Sequence, residues 1–200
     1  VGVTMHILMC NDDGILADGL RRLASYLSHY YRITVVAPAN EQSAKSHALT
    51  TEIPLKLDAY NGEDENPRLY ALTGTPSDCM KFGLSYLLTD DMPDLVISGI
   101  NHGFNLGSDV LYSGTVSAAM ESCFYGIPGL ALSVERYSPE RGDEMHPFIH
   151  ELIEKIYVKG NFDGLLNVNF PLRGVCDWDH FKMVSQGLQT YSNIIVARIN

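Results

Sequence analysis

The sequence predicts an α/β fold with a mostly parallel sheet flanked by helices, on three observations. Ile7 to Cys10, Ile33 to Ala37 and Asp94 to Ser98 are short, largely apolar runs. Such runs suit strands buried on both faces of a parallel sheet. A helical pattern lies between the first two runs, which makes a βαβ unit with a right-handed crossover. Each of the three runs gives way to a polar loop, and in open α/β sheets ligands bind beyond the carboxyl ends of the strands.

The totals set the frame. A chain of 200 residues with 46% hydrophobic content suffices for one globular domain with a real core. No linker, internal repeat or low-complexity segment divides it, so residues 1–200 are read as one domain. No apolar run approaches the length of a membrane span. Val1 to Thr4 is too short and uncharged for a secretory signal, and Met5 is a candidate start. The formal charge of −10 argues against nonspecific nucleic-acid binding. It also makes an anionic substrate awkward, unless a metal or a helix end inverts the local field. Cys10, Cys79, Cys123 and Cys176 are widely separated, with no CxxC pair, which argues against a zinc knuckle or redox motif. Cys10 and Cys123 lie in apolar settings and read as buried thiols, for which a reducing cytoplasm fits best.

Taken in order, Ile7 to Cys10 is the first strand, and it stops at Asn11-Asp12-Asp13-Gly14. Two adjacent carboxylates repel each other unless a cation sits between them; the alternative is a turn, for which Asn, Asp and Gly are common. Leu16 to Tyr30 reads as a helix, with Leu16, Leu20, Leu23, Ala24 and Leu27 at helical spacing. Ile33 to Ala37 is the second strand. The polar loop Pro38 to Thr51 follows it and is longer than most βα connections, a length common among functional loops. Ser43, Ser46 and His47 are its chemical residues, and hydrogen bonding within the loop is the preferred reading of Ser46 and His47. Ile53 to Leu57 and Leu69 to Leu72 read as short strands of a hairpin. Thr75-Pro76-Ser77-Asp78 opens a helix running to Leu88, with Thr75 as cap, Pro76 first and Asp78 as a capping-box acid. Asp94 to Ser98 is the next strand, followed by the Gly- and Asn-rich loop Gly99 to Gly107. Tyr112-Ser113-Gly114-Thr115 opens a helix to Tyr125. Its free amides and hydroxyls form either a phosphate cradle or an ordinary cap. Pro128 to Val134 is a strand, His146 to Tyr157 a helix, and Leu165 to Phe170 an alternating strand. Phe181 to Ser185 and Ile194 to Ile199 are further strand candidates.

Three loops at one sheet edge thus carry Asp12 and Asp13, Ser43, and Asn101. A hard divalent cation takes oxygen ligands, and a carboxylate-rich set without Cys or His favours Mg²⁺ or Mn²⁺ over zinc. Ser43 and Asn101 add neutral oxygens, so a bound ion still attracts a phosphate. His47 and His102 neighbour this set but are not expected to be ligands.

The blocks Asn11-Asp12-Asp13-Gly14, Ser43 to Thr50, Gly74 to Cys79, Ser98 to Gly103 and Tyr112 to Val116 closely resemble the SurE family, the survival-protein nucleotidases. They occur in that family's order and span Met5 to about Val134. The resemblance implies a Rossmann-like domain and a metal-dependent phosphatase of nucleoside 5′- and 3′-monophosphates, sometimes with exopolyphosphatase activity. It implies one divalent ion per subunit held by Asp12, Asp13, Ser43 and Asn101, a cytoplasmic location, and homodimers or homotetramers. Asn11, Ser113, Gly114 and Thr115 are the expected phosphate-binding residues. Two departures stand out. Ala44 and Lys45 follow Ser43, where the family usually has Gly after the serine and no Lys. The chain is also shorter than most members, so part of their carboxyl-terminal region, often exchanged between subunits, is expected to be absent.

The expected chemistry is metal-activated water attack, with Asp12 and Asp13 as catalytic residues and the amides around Ser113 to Thr115 holding phosphate oxygens. Which aspartate accepts the water's proton is left open. Phosphatases with an aspartyl nucleophile are one rival, but they typically space their acids as Asp-x-Asp. A noncatalytic nucleotide-binding module is the other, since fold does not fix function.

Overall fold

The computed structural model describes residues 5–42 and 45–188. Seven strands form one sheet: β1 (His6–Cys10), β2 (Arg32–Pro38), β3 (Leu57–Ala59), β4 (Arg68–Leu72), β5 (Leu95–His102), β6 (Gly129–Val134) and β7 (Leu165–Phe170). Their spatial order is β3-β4-β2-β1-β5-β6-β7, and every pairing is parallel except the β3–β4 hairpin. From β1, in the middle of the sheet, the chain builds outward through β2 and β4, then returns to the other side of β1 with β5. Crossovers leaving β1 and β5 diverge to opposite sides, and in open α/β sheets the carboxyl ends of the strands at such a point are where ligands bind.

Alternation along the strands supplies two cores. Ile7, Met9, Ile33, Val35 and Ile97 face one side, where α1 (Asp18–Leu27) and α4 (Pro139–Leu152) cover them with Leu20, Leu23, Leu27, Ile149 and Leu152. Leu8, Val36, Leu72 and Val96 face the other side, under Met80 of α2 (Pro76–Phe82) and Leu84 of the π-helical turn Gly83–Leu87 that extends it. On that side α3 (Gly114–Cys123) lays Val116 and Ala119 on Ala131 of β6. A Cβ at Gly129 would lie 2.4 Å from the Ala119 carbonyl oxygen, so the helix and strand approach this closely only because position 129 is glycine.

Several boundaries differ from the sequence reading. Leu16 is 61% exposed and lies ahead of α1, whose buried stripe starts at Gly19 and Leu20. The expected strand Ile53 to Leu57 contributes only Leu57, because Pro54 has no N–H for a ladder and Ile53 points into solvent. The helix expected from His146 begins at Pro139 instead. Ser138 caps it by accepting the Arg141 N–H at 3.2 Å, and Pro139 takes the first position. It runs through Pro147 and ends in a π-helical turn over Ile153–Val158. Phe181 to Ser185 is not a strand. Phe181 packs on Phe148 and Trp178 while Met183 and Val184 are exposed, so no neighbouring strand receives them. The candidate strand Ile194 to Ile199 and the segment Val1 to Thr4 lie outside the described residues.

Candidate metal and phosphate site

β1 ends at Cys10, paired with Ser98 of β5 at the switch in strand order. The next residue, Asn11, is fully buried and closes a small ring with Gly14: its Oδ1 accepts the Gly14 N–H at 3.1 Å and its Nδ2 donates to the Gly14 carbonyl at 3.1 Å. Gly14 adopts φ +101°, a conformation that L side chains rarely take. Both ends of the Asn11 amide are thereby engaged inside the loop. The side chain braces the turn that presents Asp12 and Asp13, and the ring uses only one of its two Nδ2 hydrogens.

Asp12 is 6% exposed. Its Oδ1 accepts the Thr115 hydroxyl at 2.7 Å, and its carbonyl accepts the Gln42 N–H at 2.7 Å. Burial raises its pKa, against the hydrogen bonds from Thr115, and the nearby Glu41 charge adds to the rise. Asp13 is pushed up to about 6, by burial first and then by the charges of Asp12 and Glu41. The ring and backbone of His102 pull it the other way, which brings the end of β5 to the loop after β1.

Asn101 lies at that end of β5. Ser98 opposes Ala131 and Asn101 opposes Ser133, so three steps on β5 match two on β6. This bulge occurs at Gly99, where φ is +129° and an added Cβ would lie 2.3 Å from the Leu132 carbonyl oxygen. One extra residue re-aims the side chains beyond it. Asn101 Nδ2 donates to the Gly103 carbonyl at 2.9 Å, which leaves Oδ1 as the end of the amide suited to a cation. Ser43 lies outside the described residues.

The start of α3 rests on Asp12. A Cβ at Gly114 would lie 3.0 Å from Asp12 Cβ and 3.1 Å from Oδ2. Ser113 Oγ accepts the Val116 N–H at 3.1 Å, an ordinary cap, and Thr115 is committed to Asp12. The Thr115 hydroxyl proton is therefore spent on Asp12, whereas Ser113 accepts the cap bond and keeps its own O–H as a donor. This helix start also offers an anion its backbone amides and dipole.

Two further residues matter that the sequence reading did not single out. Asn105 donates its N–H to Asn169 Oδ1 at 2.8 Å and its Nδ2 to Ser133 Oγ at 2.8 Å, and its carbonyl accepts Asn167 Nδ2 at 2.8 Å. It fastens the loop after Asn101 to β6 and β7; the alternating Asn167 and Asn169 in β7 were its only trace in the sequence. Glu121 of α3 is buried, and its Oε2 lies 2.6 Å from His47 Nε2.

The donor set suits a hard divalent ion. The charge of Glu41 raises the proton affinity of both Asp12 and Asp13, and that of Asp12 raises Asp13's further, as closely spaced carboxylates do. Among the described residues no group of three His, Cys, Asp or Glu side chains forms a metal cage, so an ion here depends on neutral oxygens such as that of Asn101. A groove of about 860 Å³ lies apart from these carboxylates, between β7 and residues 173–188, lined by Leu106, Val110, Phe170, Phe181 and Leu188 among others.

A family model described as Survival protein SurE matches residues 7–193. The 5′-nucleotidase SurE of Thermoanaerobacter sp. (strain X514) is 49% identical over 168 residues, which are 84% of this chain and 66% of that relative. The 5′-nucleotidase SurE of Thermosipho melanesiensis is 42% identical over 196 residues, 97% of this chain and 76% of its own length. Thus the match spans just under two thirds of the Thermoanaerobacter protein and about three quarters of the other. Among solved structures, the SurE protein from Aquifex aeolicus superposes with a TM-score of 0.79 at 35% identity, covering 94% of this chain and 74% of that one.

Proposed function

The chain belongs to the SurE family, and from that premise we propose that it is a metal-dependent phosphatase that hydrolyses nucleoside 5′- and 3′-monophosphates to nucleoside and phosphate. The observation that carries the reading is the pair Asp12 and Asp13, gathered at the switch in strand order with the start of α3 against Asp12. Asp12, Asp13 and Asn101 would hold one Mg²⁺ or Mn²⁺ per subunit, with Ser43 as a fourth ligand. A bound ion supplies a Lewis acid for a phosphate oxygen and lowers the pKa of a coordinated water.

The chain's own groups do the rest. Thr115 fixes Asp12 in one orientation, so the carboxylate needs no rearrangement when substrate arrives. The amides at the start of α3 meet phosphate oxygens and the charge that develops on them, while Ser113 holds the helix start in place. One carboxylate of the pair takes the proton of the attacking water. The terminal phosphate of a polyphosphate chain presents the same oxygens, so exopolyphosphatase activity belongs to the same proposal. A cytoplasmic location and a homodimer or homotetramer complete it, on the family resemblance; the free cysteines at 10, 79, 123 and 176 accord with a reducing compartment. No helix among the described residues is long and apolar enough to cross a membrane, and the formal charge of −10 disfavours nucleic acid as a partner.

The test is phosphate release from a panel of 5′- and 3′-nucleotides after exhaustive chelation, with Mg²⁺ or Mn²⁺ then added back. Release is expected to vanish on chelation and return with the ion. Full activity in the chelated protein would refute the metal reading. Trapping a phosphoaspartate during turnover would refute direct water attack. Nucleotide binding without hydrolysis at any divalent ion would favour a binding module.

A further inference from the structure

The loop between β2 and β3 is held by contacts that capping α2 does not require. Near β2, the Gln42 N–H donates to the Asp12 carbonyl at 2.7 Å. Further along, Asp78 Oδ1 accepts the Thr50 N–H at 2.9 Å and Oδ2 accepts the Thr50 hydroxyl at 2.7 Å. The Thr75 hydroxyl donates to the Ala48 carbonyl at 2.7 Å. These same residues complete the capping box of α2, where Thr75 Oγ1 accepts the Asp78 N–H at 3.1 Å and Asp78 Oδ2 accepts the Thr75 N–H at 2.9 Å. The box uses one oxygen of Asp78; the other serves only the loop. Asp78 is 4% exposed. Burial alone would raise its pKa, but the bonds from Thr50 and Thr75 outweigh it and hold the carboxyl below its ordinary value. It therefore remains a pure acceptor at neutral pH.

The anchor stands beside the site. A Cβ at Gly114 would lie 3.3 Å from the ring of Pro76, the first residue of α2, and 3.0 Å from Asp12 Cβ. The starts of α2 and α3 and the Asp12 side chain are thus packed around one glycine.

We propose that Thr50, Thr75 and Asp78 form a clamp that positions the loop between β2 and β3 against the Asp12 pocket and thereby sets the metal affinity of that pocket. They are positioning residues and touch no substrate. A loop fixed before the ion arrives gives up little conformational freedom on binding, and that retained freedom appears as affinity. The inference rests on the metal reading of Asp12 and Asp13, and the experiment separates the two.

Thr50→Val in the full chain removes the hydroxyl donated to Asp78 but leaves the capping box intact. Thr50→Ser keeps the donor. Mn²⁺ alone is titrated calorimetrically into each protein, and exchange of the Gln42 amide is followed without metal. Loss of one such bond is expected to speed Gln42 exchange and weaken the Mn²⁺ Kd by about fivefold to tenfold, with Thr50→Ser close to the parent in both. If Thr50→Val melts lower but binds Mn²⁺ within about twofold of the parent, the bond is only structural and the clamp is refuted. Unchanged exchange at Gln42 refutes it equally, because the two ends of the loop are then uncoupled. A parent that takes up no Mn²⁺ overturns the metal reading itself, and the clamp's role with it.

Discussion

Asp13→Asn is expected to lower kcat/KM by at least about a thousandfold while raising the melting temperature of the metal-free protein at neutral pH. The sign of the stability effect follows from the environment of the carboxylate. Its pKa is about 6 in the folded chain against an ordinary 3.8. Between those values the folded state keeps a proton that the unfolded chain has released. The cost of ionising Asp13 is therefore absent below the lower value, grows as pH rises, and is complete above about 6. A shift of that size corresponds to roughly 2–3 kcal/mol, which the amide does not incur. Melting curves of the metal-free parent should show this as a decline from pH 4 to pH 7 that the variant shares only in part. Mn²⁺ should reverse the order: the parent gains stability by binding, and the variant, lacking a charged ligand, gains much less. A variant with near-normal turnover and the parent's Mn²⁺-induced shift would show that Asp13 is no ligand.

The second large effect is expected at Gly99, a residue that carries no functional group. Gly99→Ala would put a Cβ 2.3 Å from the Leu132 carbonyl oxygen, at φ +129°. Both obstacles are backbone, so no flexible side chain can move aside. The expected loss is at least about 3 kcal/mol, toward the upper end for a single substitution. Gly103→Ala is the control. Its φ is +114°, but an added Cβ would meet nothing closer than Asn101 Nδ2 at 4.0 Å. It should cost only the backbone strain, about 1–2 kcal/mol. Urea unfolding of the two variants isolates the clash. Equal losses would mean that the bulge tolerates a side chain. In whatever fraction of Gly99→Ala folds, Asn101 should be displaced and Mn²⁺ binding weakened.

The strands around the site were legible because each is buried on both faces, which leaves an unbroken apolar run followed by polar residues. Asp12, Asp13 and Asn101 could be placed at one edge for the same reason: parallel strands separated by crossovers end on the same side. The start of α4 was obscured by Pro147, which reads as a breaker inside the apolar stripe, although Ser138-Pro139 carried a sound start signal. Pro54 misled in the opposite direction, inside a run that otherwise alternates. Asn11, Ser113 and Thr115 all have the right chemistry for phosphate, and only the partner of Thr115 shows that its hydroxyl proton is already given to Asp12. The second role of Asp78 was hidden because a capping box accounts for it completely in sequence; Thr50, its other partner, is 28 positions away. The bulge at Gly99 depends on contact with Leu132, which no local pattern records.

The pairing of β1 with β5, which places Ile7 opposite Leu95, has a consequence for the order of events during synthesis. The strand beside Asp12 and Asp13 is translated about 90 residues after them. At roughly 5–20 residues per second, the nascent chain holds those two acids for several seconds before Asn101 exists, and longer before it leaves the ribosome. Meanwhile β2 and β4 can already pair beside β1, because their partners are nearer in sequence. The half of the sheet on the β2 side can therefore form before the metal pocket does. Ribosome-stalled chains ending near residue 90 should be able to protect β1 and β2 from exchange while taking up no Mn²⁺. Capture of the ion should begin only in chains long enough to lay β5, with β6 supporting its bulge, alongside β1.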